Sequence, residues 1–179
     1  RFRQIPTFGR STIRRFHTNV SEMKKLAARD FEDILQCLLP VLEWLLPEPH
    51  NGILLDLWFT LATWHAYAKL RLHSSPTVQC FTNVTTELGV QARRFIRTTC
   101  EAFVTYELLK ETTRRARREV QKNPASGKTT TKKRKNWNTA TYKYHSLGDY
   151  PAVISTLGTT DSYPTQIVNS LSHLCQKFC

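Results

Sequence analysis

Residues 53–73 read ILLDLWFTLATWHAYAKLRLH, the most apolar stretch of the 179-residue chain. Asp56, Thr60 and Thr63 recur at helical spacing, and Leu54, Leu55, Leu57, Trp58, Phe59, Leu61, Trp64, Tyr67 and Leu70 fill most of the other positions, which is the pattern of an α-helix rather than of a strand. The run is long enough to cross a bilayer, but Asp56, His65 and Lys69 oppose that reading. A charge near the centre of a span costs about 2.5–3.5 kcal/mol on insertion scales. The segment therefore predicts the central, buried helix of an all-α bundle.

Working outward from it, the flanking segments carry the same period. Pro47, Glu48, Pro49 and Asn51-Gly52 mark a break on its N-terminal side. Before that break, Met23, Leu26, Ala27, Phe31, Ile34, Leu35 and Leu38 share one face, and Ser21 is a candidate cap, predicting a helix over 21–39. Pro40 is expected at a kink or a new helical start. On the C-terminal side, Ser75-Pro76 opens a helix. Phe81, Val84, Leu88, Ala92 and Phe95 form its apolar stripe, and its end falls near Cys100 to Phe103. Gly89 within it costs about 1 kcal/mol relative to alanine. A fourth helix is expected over 107–122, its last turns polar all round and so projecting into solvent or onto a partner. The fold class expected is all-α, a bundle of about four helices over residues 20–122. Residues 1–19 read as a basic arm or the fragment of an upstream domain. Residues 123–136 read as a disordered basic linker, and 137–179 as a separate small irregular or helical piece. In that piece Asp149, Pro151 and Gly158 frame one short helix.

The net charge of +12 is not spread evenly. Residues 1–30 hold eight Lys/Arg against two acids, residues 31–109 five against eight, residues 110–135 eleven against two, and residues 136–179 two against two. The middle is thus slightly acidic and the positive charge lies in two flanking blocks, the electrostatic footprint of a nucleic-acid or anionic partner. In the first block Phe2, Phe8 and Phe16 alternate with arginines, which suits base stacking and phosphate contact and suits equally aromatics belonging to a core. In the second block, Arg114-Arg115, Arg117-Arg118 and Lys132-Lys133-Arg134-Lys135 form two basic clusters on either side of a flexible spacer. Such a pair is expected to act as a bipartite nuclear localisation signal or to contact DNA phosphates non-specifically. A merely solvated charge run is the plain alternative. These eight residues are the candidate nucleic-acid-binding set, and the expected location is nuclear, otherwise cytoplasmic.

No Walker loop, GxGxxG, HExxH, GxSxG or CxxC pattern occurs, so no cofactor, metal or catalytic residue is assigned. Asp30, Glu32, Asp33, Glu48 and Asp56 are the acids to weigh for a two-metal nuclease, and surface ion pairs explain them as well. His173, Cys175 and Cys179 would make at most half of a zinc site, which needs four ligands. The five cysteines are odd in number and widely spaced, and no apolar run follows the basic start as a signal peptide would require. Reduced thiols are expected. The chain starts at Arg1 and reads as processed or as a piece of a longer one.

Several strings occur in order: Phe8-Gly9-Arg10; Ser21 to Asp33 (SEMKKLAARDFED); Leu46 to Asn51 (LPEPHN); Trp64 to His73 (WHAYAKLRLH); Thr85 to Gly89 (TTELG); Leu147 to Tyr150 (LGDY); and Gly158 to Tyr163 (GTTDSY). This series, over about residues 8–166, resembles the C-terminal region of Plavaka-type transposase-like proteins of basidiomycete fungi, which are related to the CACTA superfamily. The resemblance implies a region following an RNase-H-like domain, with the catalytic aspartates upstream of Arg1. On that reading the chain is not an enzyme by itself, and a zinc-finger-like region lies further upstream. Two departures stand out. Pro151 replaces a helix-continuing residue, and after Gln166 the resemblance stops, as a frameshift, intron read-through or decayed copy would make it. Three functions follow as expectations: a DNA-contacting accessory region; a helical interaction module that docks on the missing catalytic domain or self-associates; or a transposon relic without function. Exposed Trp44, Trp58 or Trp64 would favour the second. No membrane partner is expected.

Overall fold

The computed structural model describes residues 1–9, 13, 15–23, 26–122 and 131–160. Among the described residues the helices are α1 (Ala28–Leu42), α2 (His50–Ala68), α3 (Ser75–Ala102), α4 (Leu109–Lys122), α5 (Tyr142–His145) and α6 (Tyr150–Leu157). Short 3₁₀ turns cover Phe2–Gln4, Val20–Glu22 and Ser146–Asp149. Two two-residue strands, β1 (Thr105–Tyr106) and β2 (Arg134–Lys135), pair antiparallel. The class is all-α, with four helices between residues 20 and 122.

The core is built on α2 and α3, which make the most extensive helix–helix contact, with α1 laid across α2. Ile53, Leu54, Leu57, Trp58, Leu61, Trp64 and Ala68 form the buried face of α2. Phe81, Leu88, Ala92 and Phe95 answer them from α3. Trp64 is wholly buried. Its ring meets Phe81 at 5.5 Å and Tyr150 at 4.9 Å between centroids. Its indole N–H donates to Thr85 Oγ1 at 3.0 Å, and that hydroxyl donates in turn to the Phe81 carbonyl at 2.8 Å. Tryptophan enters a core without penalty only when its N–H finds such a partner. The opposite side of α2 is open, with Asp56 in solvent and Phe59 63% exposed. The helix expected at the centre of the bundle is therefore buried on one face. It also stops at Ala68 rather than at His73. The Lys69 N–H bends back to the His65 and Ala66 carbonyls at 3.0 and 3.3 Å, and the Leu70 N–H to Tyr67 at 3.1 Å, which tightens and closes the last turn.

Other ends differ from the sequence pattern for equally local reasons. Ser21 caps nothing and lies in a 3₁₀ turn; α1 begins seven residues later. The Asp30 carboxylate accepts the Ala27 N–H at 2.6 Å, so an acid in the first turn does the capping, where it also meets the positive end of the helix dipole. Pro40 starts no helix; α1 runs through it to Leu42. The carbonyl it deprives of a donor, four residues back, belongs to exposed Gln36, where water can take its place. Past the end of α1, Trp44 adopts the left-handed region at φ 56°. Ser74, one residue ahead of the expected opening, caps α3 through reciprocal bonds with Thr77 at 3.4 and 2.7 Å.

Both ends of the described chain belong to this core. Phe16 and Val20 are buried in it, and Phe2 meets Phe16 edge-on at 5.2 Å. The Arg1 guanidinium donates to the Val41, Glu43 and Trp44 carbonyls at 2.8, 2.6 and 3.4 Å, at the carbonyl-rich end of α1. The basic N-terminal segment thus packs as structure, with Phe8 its exposed aromatic. Nor do residues 137–160 stand apart. Leu147 and Ile154 are core residues, Trp137 meets Phe95 at 5.6 Å, and Thr160 Oγ1 donates to the Ala68 carbonyl at 2.7 Å. The short helix begins after Asp149 and ends at Gly158, whose φ of 92° suits glycine.

Candidate nucleic-acid interface

α4 contributes no residue to the buried apolar core. It is held by a polar clamp. Glu107, in the turn between β1 and α4, is 8% exposed. Its carboxylate accepts Arg115 Nε at 3.0 Å and Nη2 at 2.9 Å, and the Lys133 backbone N–H at 3.1 Å. Arg115, its side chain 16% exposed, also donates to Glu119 at 3.2 Å and to the Thr131 carbonyl at 2.7 Å. The Glu107 N–H donates to the Lys133 carbonyl at 3.0 Å, which extends the β1–β2 ladder by one rung. The bidentate pair joins two groups shielded from water, the geometry in which an ion pair is strongest. The hydrogen bonds from Arg115 foremost hold the Glu107 carboxyl at about 2 against the upward push of burial, with the Lys133 N–H and the nearby Arg115 and Lys135 charges adding to them. The same contacts raise Arg115.

The clamp divides the eight candidate residues into two groups. Along α4, Glu111, Arg115 and Glu119 follow one another at i, i+4 on the side facing β2. Lys135 Nζ meets Glu111 at 3.3 Å and Lys133 Nζ meets Glu119 at 3.9 Å. Arg115, Lys133 and Lys135 are thus neutralised within the protein. Arg114, Arg117, Arg118, Lys132 and Arg134 are exposed and have no ion pair among the described residues. Lys110, Arg114, Arg117 and Arg118 stand at i, i+4, i+7 and i+8, one face of the helix, and all four are exposed. Like charges at i, i+4 cost an isolated helix about 0.2–0.5 kcal/mol per pair. An anion laid along this face removes that cost.

The strand register divides the tetrapeptide Lys132-Lys133-Arg134-Lys135. Thr105 pairs with Lys135 and Tyr106 with Arg134. Side chains alternate across a strand and direct partners share a side. Lys133 and Lys135 are turned to the acids of α4, so Tyr106 and Arg134 occupy the far side of the ribbon. The expectation of a disordered linker over 123–136 fails at its C-terminal end, where Thr131 to Lys135 are tied to Glu107, Arg115 and β1. Residues 123–130 lie outside the described residues.

Lys110, Tyr106 and Glu107 were missed by the sequence reading. Lys110 carried a signal in its spacing from Arg114 and Arg118. The other two depend on pairings that a sequence does not display. The five weighed acids have structural partners or positions. Asp30 caps α1, Glu32 pairs with Lys69 at 2.8 Å, Asp56 with Arg94 at 3.5 Å, and Glu48 accepts from Asn51 and Gly52. Asp33 is buried beside Cys37, whose thiol is pushed up by burial first and by that acid second. Cys37, Cys80 and Cys100 are free thiols, Cys80 exposed. His173, Cys175 and Cys179 lie outside the described residues. No described helix is long and apolar enough to cross a membrane. Trp58 and Trp64 are buried, whereas Trp44 is 73% exposed. No family model, curated protein or solved structure matches this chain.

Proposed function

We propose that the chain is a non-catalytic accessory region of a transposase-like protein, which contacts DNA phosphates without sequence preference. The observation that carries this reading is the exposed cationic row Lys110, Arg114, Arg117 and Arg118 on α4, left free by a clamp that spends the inner charges on acids. Phosphate contacts of this kind supply most of the affinity of non-specific complexes. The same exposed arginines, with Lys132 and Arg134, supply the basic clusters of a nuclear import signal, and a nuclear location follows. The test is fluorescence anisotropy of a random duplex titrated with the wild-type chain and with the quadruple alanine variant of the α4 row. Salt-sensitive binding that the variant loses supports the reading; binding unaffected by the variant, or no binding at low salt, overturns it.

A second reading has one observation in its favour. Trp44 and Leu45 are both largely exposed at the turn after α1, the type of residue that anchors protein interfaces. On this reading the helices dock on a catalytic domain or on a second copy through that turn, and Trp44→Ala abolishes the association.

A further inference from the structure

The far side of the β1–β2 ribbon carries an aromatic and a cation as direct cross-strand partners. Tyr106 is 58% exposed, and Arg134 is exposed with no ion pair among the described residues. Lys132, two residues before Arg134, is exposed and equally unpaired. Nothing in the core needs this arrangement: Tyr106 belongs neither to the buried cluster nor to the residues packed against it. The alternation of the strand has sent the two neighbouring lysines to acids on α4 and left the arginine beside the ring. A ring free to stack and adjacent cations free to meet phosphate are the two elements of single-strand recognition. Bases within a duplex are stacked on one another and do not offer their faces to a side chain, so the ring gains nothing there.

We infer that the ribbon is a single-stranded nucleic-acid site, with Tyr106 stacking on an unpaired base and Arg134 and Lys132 meeting the flanking phosphates. The inference rests on the proposed function in taking nucleic acid as the partner, but it uses a different surface from the α4 row. The clamp is what makes the site. Glu107 holds Lys133 through both backbone groups and so fixes the register that sets Arg134 opposite Tyr106.

The test compares a labelled oligothymidylate of about 16 nucleotides, the upper site size for a single-strand module, with a random duplex. Each is titrated with the wild-type chain and with Tyr106→Ala, Tyr106→Phe and the α4 quadruple alanine variant. Stacking of one base is worth about five- to a hundredfold in affinity. Tyr106→Ala is expected to weaken oligothymidylate binding at least about fivefold and to leave duplex binding unchanged. Tyr106→Phe, which keeps the ring, is expected to bind as wild type. An α4 variant that loses the duplex but keeps the oligothymidylate supports two separate surfaces. Overturning results are a neutral Tyr106→Ala or an equal loss on both ligands. Wild-type binding to the duplex alone refutes the ribbon site and leaves the α4 reading standing; binding to neither refutes both.

Discussion

Salt titration of duplex binding is the sharpest measurement of the clamp. Log affinity falls against log salt with a slope of about −0.9 for each phosphate neutralised. If all eight clustered basic residues met DNA, the slope would be about −7. The clamp withholds Arg115, Lys133 and Lys135, and Lys132 and Arg134 lie at the ribbon, so three of the eight, Arg114, Arg117 and Arg118, remain and stand in one row with Lys110. The four cations of the α4 row then predict a slope of about −3.6. Between about 50 and 200 mM salt this is a loss of about 150-fold, against about 20,000-fold for all eight. The perturbation that checks the assignment is Arg115→Ala: it removes a charge from the cluster yet is expected to leave the slope near its wild-type value, whereas Arg114→Ala reduces its magnitude by about 0.9. Anisotropy at several salt concentrations gives both values. A wild-type slope close to −7, or an Arg115→Ala change as large as that of Arg114→Ala, would refute the reasoning, because the inner cations would then be leaving their acids for phosphate.

Three further outcomes follow from particular residues. Glu107 is depressed to about 2 from 4.5; its contribution is therefore complete above pH 4.5 and lost as pH falls from 4.5 towards 2, so amide exchange at Glu107 and Lys133 should accelerate within that window while α2 stays protected, and Glu107→Gln should show the fast exchange already at neutral pH. His65 is lowered, mainly by burial, with Lys69 adding and Glu32 opposing; the unfolded chain takes up the proton first, so stability should decline as pH falls below about 6.5, and His65→Gln should flatten that part of a denaturation profile. The Cβ of Gly89→Ala would meet only the tip of the flexible Arg93 side chain at 3.2 Å, so it should raise stability by about 1 kcal/mol in urea denaturation, and a loss instead would mean that Arg93 cannot yield.

The strained turn after α1 separates stability from interaction. Trp44 is a bulky residue in a conformation that glycine adopts freely. Trp44→Gly should stabilise the fold by about 1 kcal/mol. If the exposed ring anchors a partner, the same substitution removes the association measured by sedimentation; unchanged stability would show that the turn holds no strain.

How far the sequence reached is visible residue by residue. It determined the class, because the apolar period of α1, α2 and α3 is a local property of each segment and hydrophobic burial acts on it directly. It placed the opening of α3 within a residue, since a cap acts over three or four positions, and the Asp149–Gly158 frame of α6 as closely, since Pro151 suits a first turn and Gly158 a left-handed end. It also located the basic clusters, because charge density needs no geometry. The tertiary structure decided which of those charges are available. Arg114 and Arg115 are adjacent in sequence and differ there only in their i ± 4 neighbours, yet Arg115 is locked between Glu107 and Glu119 and Arg114 is in solvent. Lys133 and Arg134 are neighbours in a run of like charges, and only the pairing of Thr105–Tyr106 with Arg134–Lys135 sends them to opposite sides. Placing Phe16, Trp137 and Leu147 in one core likewise required contacts between segments far apart in the chain. Such pairings depend on which surfaces the folded chain brings together, and periodicity carries no record of that.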